Sequence, residues 1–268
     1  MDIQWIIAYL SLGAVVGFFA GLFGIGGGGI MVPVLTTFFV MQGLPSEHIV
    51  HSALATSMAA IITTSVSSLK AHHKRGAVNW SVVKGMSIGI LLGTFAATFL
   101  ASYLSSLVLA IFFVIFMFYV ASQMLLNKKP NARRALPNTL GLSAVGSGIG
   151  AISALVAIGG GTLTVPFLTW CNLKIQHAIG TSAAIGLPIA LAGTFGYFIS
   201  GLNAEGMPDY SLGYIYLPAV ILISVVSFLT APLGVKLAHS LPVSVLKKLF
   251  AGLLLLLAIK MLHTVVVS

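Results

Sequence analysis

The sequence has very few charged residues, and most of these are basic. Only 6% of its 268 residues are charged, whereas 58% are hydrophobic. A soluble domain carries about 25% charged residues and needs them to cover its surface with groups that water solvates. The composition therefore excludes an ordinary soluble protein and places the chain in lipid, where apolar surface needs no polar cover.

Acidic residues are the scarcest charged type, because the chain has 4 Asp and Glu against 13 Lys and Arg. These acids, Asp2, Glu47, Glu205 and Asp209, lie at a terminus or between apolar segments. The apolar segments therefore contain no carboxylate proton relay, no carboxylate metal cage and no paired acids for acid–base catalysis. A single cysteine, Cys171, excludes an internal disulfide and a cysteine metal site.

The excess of basic residues gives a formal charge of +9 but does not indicate nucleic-acid binding. The basic residues lie in short loops between apolar segments, and no basic face with interleaved aromatic residues is present. This distribution is typical of the cytoplasmic loops of membrane proteins. The N-terminus lacks the positive stretch of a signal peptide, so we expect the first apolar segment to be retained.

Apolar segments follow one another along the whole chain, and most are long enough for a transmembrane helix, which needs about 20 residues. The segments at 30–41 and 163–172 are shorter and have the length of re-entrant segments. Each follows a glycine cluster that interrupts a helix. We predict helical segments at 4–22, 30–41, 47–69, 81–100, 104–126, 139–157, 163–172, 176–200, 212–237 and 243–267.

The two halves of the chain repeat three sequence elements in the same order. The aligned pairs are Gly26–Leu35 with Gly159–Leu168, Ala55-Thr56-Ser57 with Gly180-Thr181-Ser182, and Ala121–Leu125 with Ala258–Leu262. Internal repeats of this kind are common in secondary transporters. We therefore predict a first repeat at 1–126 and a second at 139–268, joined by a cytoplasmic linker at 127–138.

The loop charges indicate that the repeats are inverted relative to each other. The loop at 70–80 is basic, whereas the corresponding loop at 201–211 is acidic. Corresponding loops of parallel repeats would share a side, and their charges would conflict. If each short segment returns the chain to the side it came from, each repeat has five segments. The two halves are then inverted, and the basic clusters share one face. The positive-inside rule makes this face cytoplasmic and both termini periplasmic, with Lys260 a mild exception.

The glycine clusters are the first candidate site. Lipid tolerates unpaired backbone groups only where they line a cavity or are buried in protein. A helix that follows such a cluster begins with free N–H groups and a partial positive charge, which together bind an anion without a charged side chain. We place Pro33 and Pro166 in the first turn of these helices, where a missing N–H costs little. The candidate residues are Gly26, Gly27, Gly28, Gly29, Gly159, Gly160, Gly161 and Thr162. The alternative is that the glycines only allow tight helix packing.

Polar side chains near the clusters are further candidates. The hydroxyls of Thr56, Ser57, Thr181 and Ser182 could donate hydrogen bonds to the oxygens of a substrate. Alternatively, they bond to the carbonyl one turn back, as is common in membrane helices. His51 and His177 lie at helix starts near these pairs and could contact an anion or carry a proton. The alternative for each histidine is an ordinary position at the membrane surface.

The chain resembles the TauE/SafE sulfite-exporter family over essentially its whole length. The resemblance rests on Phe23-Gly24-Ile25-Gly26-Gly27-Gly28 through Val32-Pro33, its repeat Ile158-Gly159-Gly160-Gly161 through Val165-Pro166, the two Thr-Ser pairs, and Leu241-Pro242 followed by Lys247-Lys248-Leu249-Phe250. It implies a bacterial-type inner-membrane transporter of sulfite, sulfonates or related organosulfur anions. Export rather than import follows from the family name alone.

The sequence therefore predicts an all-α polytopic membrane protein with two inverted repeats. Each repeat has a glycine-broken re-entrant or short helix pair and three longer transmembrane helices. We expect secondary transport of small anions by alternating access; an anion channel with the same chemistry and, less favoured, a membrane enzyme are the alternatives. The expected partners are the anion and membrane lipid, with a homodimer possible, no nucleic acid and no cofactor. Coupling to sodium, to a histidine proton or to neither stays open.

The predicted orientation can be tested by cysteine labelling in a variant without Cys171. A cysteine at Ser268 should react with an impermeant reagent added to intact cells, because the C-terminus is predicted to be periplasmic. A cysteine at Lys128, in the linker, should react only after permeabilisation. The inverted arrangement is excluded if Ser268→Cys also requires permeabilisation.

Overall fold

A computed structural model describes residues 2–23, 26–126, 135–237 and 243–267. Several positions named above lie outside these ranges. They are Gly24 and Ile25, residues 127–134 of the linker, Leu241 and Pro242, and Ser268.

The described residues form helices almost throughout. In the first half these are α1 (Ile3–Phe23), α2 (Gly28–Met41), α3 (Ile49–His73), α4 (Trp80–Ser102) and α5 (Ser106–Leu126). In the second half they are α6 (Thr139–Val156), α7 (Gly161–Trp170), α8 (Ile175–Ser200), α9 (Leu217–Leu237) and α10 (Val243–Val267). Two short antiparallel strands, β1 (Ser211–Leu212) and β2 (Ile215–Tyr216), precede α9.

The predicted all-α polytopic class is confirmed. Within the described ranges, eight helices are long and apolar enough to cross a membrane. The two remaining helices, α2 with 14 residues and α7 with 10, are the short segments that the sequence predicts. The strand pair β1–β2 was not predicted and occupies the start of the apolar segment at 212–237.

The positions of Pro33 and Pro166 differ from the prediction. Because α2 begins at Gly28 and α7 at Gly161, each proline lies in the second helical turn and not in the first. A proline there removes a hydrogen bond to the carbonyl four residues earlier. The carbonyls concerned are those of Gly29 and Thr162, in the first turn of each short helix. The glycine clusters extend the helices toward their N-termini by two residues more than expected.

Glycines bring two pairs of long helices into backbone contact. On α4, a Cβ added to Gly89 or Gly93 would collide with the carbonyl oxygens of Ser143 or Ser147 on α6. On α1, a Cβ on Gly13 would lie 2.7 Å from the carbonyl oxygen of Ile223 on α9. Small residues allow this approach in membranes, where dispersion and not the hydrophobic effect holds helices together. In each pair, residues later on one helix contact residues later on the other, so the two helices run parallel.

The central helices α3 and α8 run antiparallel. Ser65 on α3 lies beside Gly186 on α8, whereas Met58, earlier on α3, lies beside Gly193, later on α8. These two helices carry the corresponding Thr-Ser pairs of the two halves. The two helices that carry the Thr-Ser pairs therefore run in opposite directions.

Basic and acidic loops lie at opposite ends of the bundle. Arg75, just after α3, donates a hydrogen bond from Nη1 to the carbonyl oxygen of Val235 near the end of α9, at 3.5 Å. This contact joins the end of α3, with Lys70, Lys74 and Arg75, to the end of α9, with Lys236. At the other end, a Cβ on Gly206 would lie 2.9 Å from Pro45, so the acidic loop after α8 contacts the loop that precedes α3.

The close approach of α4 and α6 predicts the effect of a methyl group in that contact. Gly89→Ala should destabilise the protein by about 1–3 kcal/mol, because the added Cβ meets backbone and the helices must separate. Gly148→Ala, on α6, is the matched control, because no described residue outside its own stretch of helix lies within 4 Å of the added Cβ. Thermal unfolding in detergent measures both. Equal melting temperatures for the two variants would contradict the packing argument.

Candidate functional site

The two glycine breaks adopt the same backbone conformation. Gly27 precedes α2 with φ 79°, and Gly160 precedes α7 with φ 78°. This left-handed conformation is strained for residues with a Cβ but not for glycine. The conformation starts each short helix immediately after the turn, so the repeated sequence produces the same local structure in both halves.

The two breaks contact each other inside the bundle. A Cβ on Gly26 would lie 2.9 Å from Cα and N of Gly159, and a Cβ on Gly28 would collide with the carbonyl oxygen of Ala157. In the described residues, the N–H groups of Gly28 and Gly29 and those of Gly161 and Thr162 donate no hydrogen bond. Two helix N-termini with unpaired donors therefore begin beside one backbone contact.

A cavity opens next to this contact. It is bounded by both glycine breaks and by small or hydroxyl side chains, namely Ala20, Gly26, Thr64, Ser65, Ser68, Gly159, Ala183 and Gly186. The cavity volume available to water is about 10 Å³. An enclosed volume of this size holds roughly one water molecule. This conformation is therefore too narrow for a sulfonate, and binding requires the lining helices to move apart.

The hydroxyls of the cavity come from a part of α3 that the sequence analysis did not select. Thr64, Ser65 and Ser68 lie two to three turns beyond the Thr56-Ser57 pair. The repeat did not identify them, because the corresponding positions of α8 carry no hydroxyl. The density of hydroxyl residues in Thr63–Ser68, within an otherwise apolar segment, was the signal that could have found them.

Each paired threonine bonds to the backbone just before a long helix of the other half. Thr56 accepts a hydrogen bond from the N–H of Tyr216 at 3.1 Å, just before α9. Thr181 accepts one from the N–H of Asn79 at 2.9 Å, just before α4. The two bonds correspond in the repeat. Each threonine thereby satisfies a backbone donor at a position where the chain enters the bundle.

The paired serines are buried and lack partners. Both Ser57 and Ser182 have an exposure of 0%, and neither hydroxyl has a hydrogen-bond partner among the described residues. Ser182 lies one turn before Gly186 of the cavity. Ser57 lies one turn before Ile61, which contacts the position of a Cβ on Gly28. The serines thus lie next to the glycine breaks but do not line the cavity.

The two candidate histidines lie away from the cavity. His51 is buried, its Nε2 lies 3.0 Å from the carbonyl oxygen of Ala101, and its ring stacks on Tyr214. It precedes Ile61 by ten residues, or about 15 Å along the helix. His177 is exposed at the start of α8. The structure therefore brings the glycine clusters together but does not bring these histidines to them.

The sequence matches a known family over the segment that contains all of these elements. The description of that family is "Sulfite exporter TauE/SafE", and the match spans residues 9–261. The chain belongs to the TauE/SafE family. The family resemblance predicted from the sequence is thereby confirmed.

Relatives of this TauE/SafE protein are named as transporters. A probable membrane transporter protein of Haemophilus influenzae is 40% identical, over 96% of this chain and 98% of that protein. One of Methanocaldococcus jannaschii is 26% identical over 94% of both chains. One of Bacillus subtilis is 28% identical over 94% of this chain and 98% of that protein. No solved structure matches the chain. We conclude that this TauE/SafE protein is a multi-pass membrane transporter.

The different roles of the paired residues predict different effects on stability. Thr56→Val should lower the free energy of unfolding by about 1–3 kcal/mol, because the buried N–H of Tyr216 loses its acceptor. Ser57→Ala should be close to neutral, because its hydroxyl has no partner to lose. Thermal unfolding in detergent compares them. A larger loss for Ser57→Ala would show that the serine has the structural role.

Proposed function

We propose that the protein transports a small oxyanion, such as sulfite or a compact sulfonate. One observation carries the proposal. The N-termini of α2 and α7, each with N–H groups that donate no hydrogen bond within the described residues, begin beside the same cavity. Aligned peptide dipoles place a partial positive charge at each N-terminus. An anion between the two would be stabilised from both sides without a basic side chain.

The residues around the cavity favour a compact anion with a single charged group. Among the described residues, the cavity lining contains no Lys or Arg, so neutral groups must donate the hydrogen bonds. It also contains no Asp or Glu that could pair with an ammonium group of the substrate. Alanine and glycine form the other walls, and the small volume between them suits a compact anion.

We further propose that the two halves are inverted repeats that provide alternating access. The antiparallel course of α3 and α8, which carry corresponding Thr-Ser pairs, supports this proposal. So do the parallel pairs α1–α9 and α4–α6, which correspond to each other in such an arrangement. In inverted repeats, the site lies where the halves meet, and one half moves relative to the other.

The cavity lies on the basic side of the contact between the breaks. Ser68 extends it along α3 toward Lys70, and Ala183 extends it along α8 toward Lys174. On the acidic side, the buried side chain of Met58 packs beside Gly193. With the basic face cytoplasmic by the positive-inside rule, the cavity lies nearer the cytoplasmic side of the membrane. An exporter would load its substrate from this side.

Anion recognition predicts that binding depends on ligand charge. Methanesulfonate should bind the purified protein, and its uncharged analogue methanesulfonamide should not. Gly186→Leu should abolish binding and proteoliposome flux, because a Cβ there already lies 3.0 Å from Ser65 Oγ and from the Gly159 carbonyl oxygen. Gly148→Leu is the control, since its Cβ meets open space.

Calorimetric titration and flux measurements separate the possible outcomes. Equal binding of sulfonate and sulfonamide would refute anion recognition. Retained binding and flux in Gly186→Leu would place the substrate elsewhere in the protein.

A further inference from the structure

The hydroxyl side chains that line the cavity all come from α3, and the sequences of the two repeats differ at these positions. When the Thr-Ser pairs are aligned, Ser65 of α3 corresponds to Ala190 of α8, and Ser68 corresponds to Gly193. The first repeat therefore supplies hydroxyls at two positions where the second repeat has none. A requirement for helix packing alone does not explain them, since alanine and glycine occupy the corresponding positions.

Ser68 has an unused hydroxyl at the edge of the cavity. The residue is 4% exposed, and its Oγ has no hydrogen-bond partner among the described residues. A buried hydroxyl without a partner costs free energy unless a ligand or a water molecule bonds to it. Because Ser68 lines the cavity, that partner would have to lie in the cavity.

Ser65 lies one turn earlier on the same face of α3. Residues three apart are neighbours on a helix surface, so both hydroxyls line the same wall. Ser65 Oγ lies 3.0 Å from the position that a Cβ on Gly186 would take, and the Gly159 carbonyl oxygen lies at the same distance from it. Ser65 therefore faces the break that precedes α7.

Two neighbouring hydroxyls on α3 have partners within the protein. Thr64 Oγ1 donates to the carbonyl oxygen of Ile61 at 3.0 Å. Ser67 Oγ donates to the carbonyl oxygen of Phe228 on α9 at 3.1 Å. Their protons are used in these bonds, so neither is available to donate to a ligand. Ser67 is thus a matched control for Ser68, with the same side chain on the same helix.

On these grounds we propose that Ser65 and Ser68 are the side-chain donors that bind the oxyanion. The inference rests on the proposed function and adds the residues that determine specificity. The helix N-termini stabilise the charge, and the two hydroxyls bind oxygen atoms on the side of the ligand that faces α3. The anion thus contacts side-chain donors of the first repeat alone.

Calorimetric titration with sulfite and with methanesulfonate tests the inference. The variants are Ser65→Ala, Ser68→Ala and the double substitution, with Ser67→Ala as the control. Loss of a hydrogen bond to a charged ligand lowers affinity roughly tenfold to a hundredfold. We expect a loss of this size for each single variant, a greater loss for the double variant, and wild-type affinity for Ser67→Ala. The melting temperature of ligand-free Ser68→Ala should equal that of wild type, because no bond within the protein is lost.

The outcomes distinguish this inference from the proposed function. If wild type binds the anions and all variants bind equally well, the serine assignment is wrong and the proposed function stands. If Ser67→Ala loses as much affinity as Ser68→Ala, the effect belongs to α3 as a whole and the assignment is also overturned. If wild type binds neither anion, both proposals fail together.

Discussion

The structure depends on the backbone contact between the two glycine breaks. Lipid provides no hydrogen-bonding partners, so a chain that interrupts its helix inside the membrane must place the freed backbone groups against protein or a cavity. Gly26 lies so close to Gly159 that a Cβ on Gly26 would come within 2.9 Å of the Gly159 backbone and push the two breaks apart. The contact shields the breaks from lipid and joins the two halves at their centre. It also places the N-termini of both short helices beside one cavity.

The same physical requirement extends to the long helices. Glycines on α1 and α4 let the backbones of α9 and α6 approach more closely than any side chain would permit. In lipid, this contact replaces the hydrophobic driving force that packs helices in water. The pairs α1–α9 and α4–α6 each join one half to the other. They enclose α3 and α8, whose residues form most of the buried interior around the cavity.

The two halves share the backbone conformation around the cavity but differ in the side chains that line it. The positive-φ glycines before α2 and α7 and the hydrogen bonds of Thr56 and Thr181 occur in both halves. The hydroxyls of Ser65 and Ser68 do not, and large side chains such as Met58 fill the corresponding volume on the acidic side. A symmetric scaffold thus holds an asymmetric cavity.

The sequence alone determined what depends on local composition. Segment length and hydropathy predicted the long and short helices, because the thickness of the bilayer sets the length of a span. The glycine clusters predicted the two breaks, because helix propensity is local. The tertiary structure decided which polar groups face the cavity. The Thr-Ser pairs had the stronger repeat signal, yet their threonines bond to backbone, while the cavity hydroxyls come from a segment without a repeat. Residue spacing along a helix predicts which side chains share a face of that helix. It does not predict what that face contacts, because this depends on how α3 packs against α8 and the two breaks.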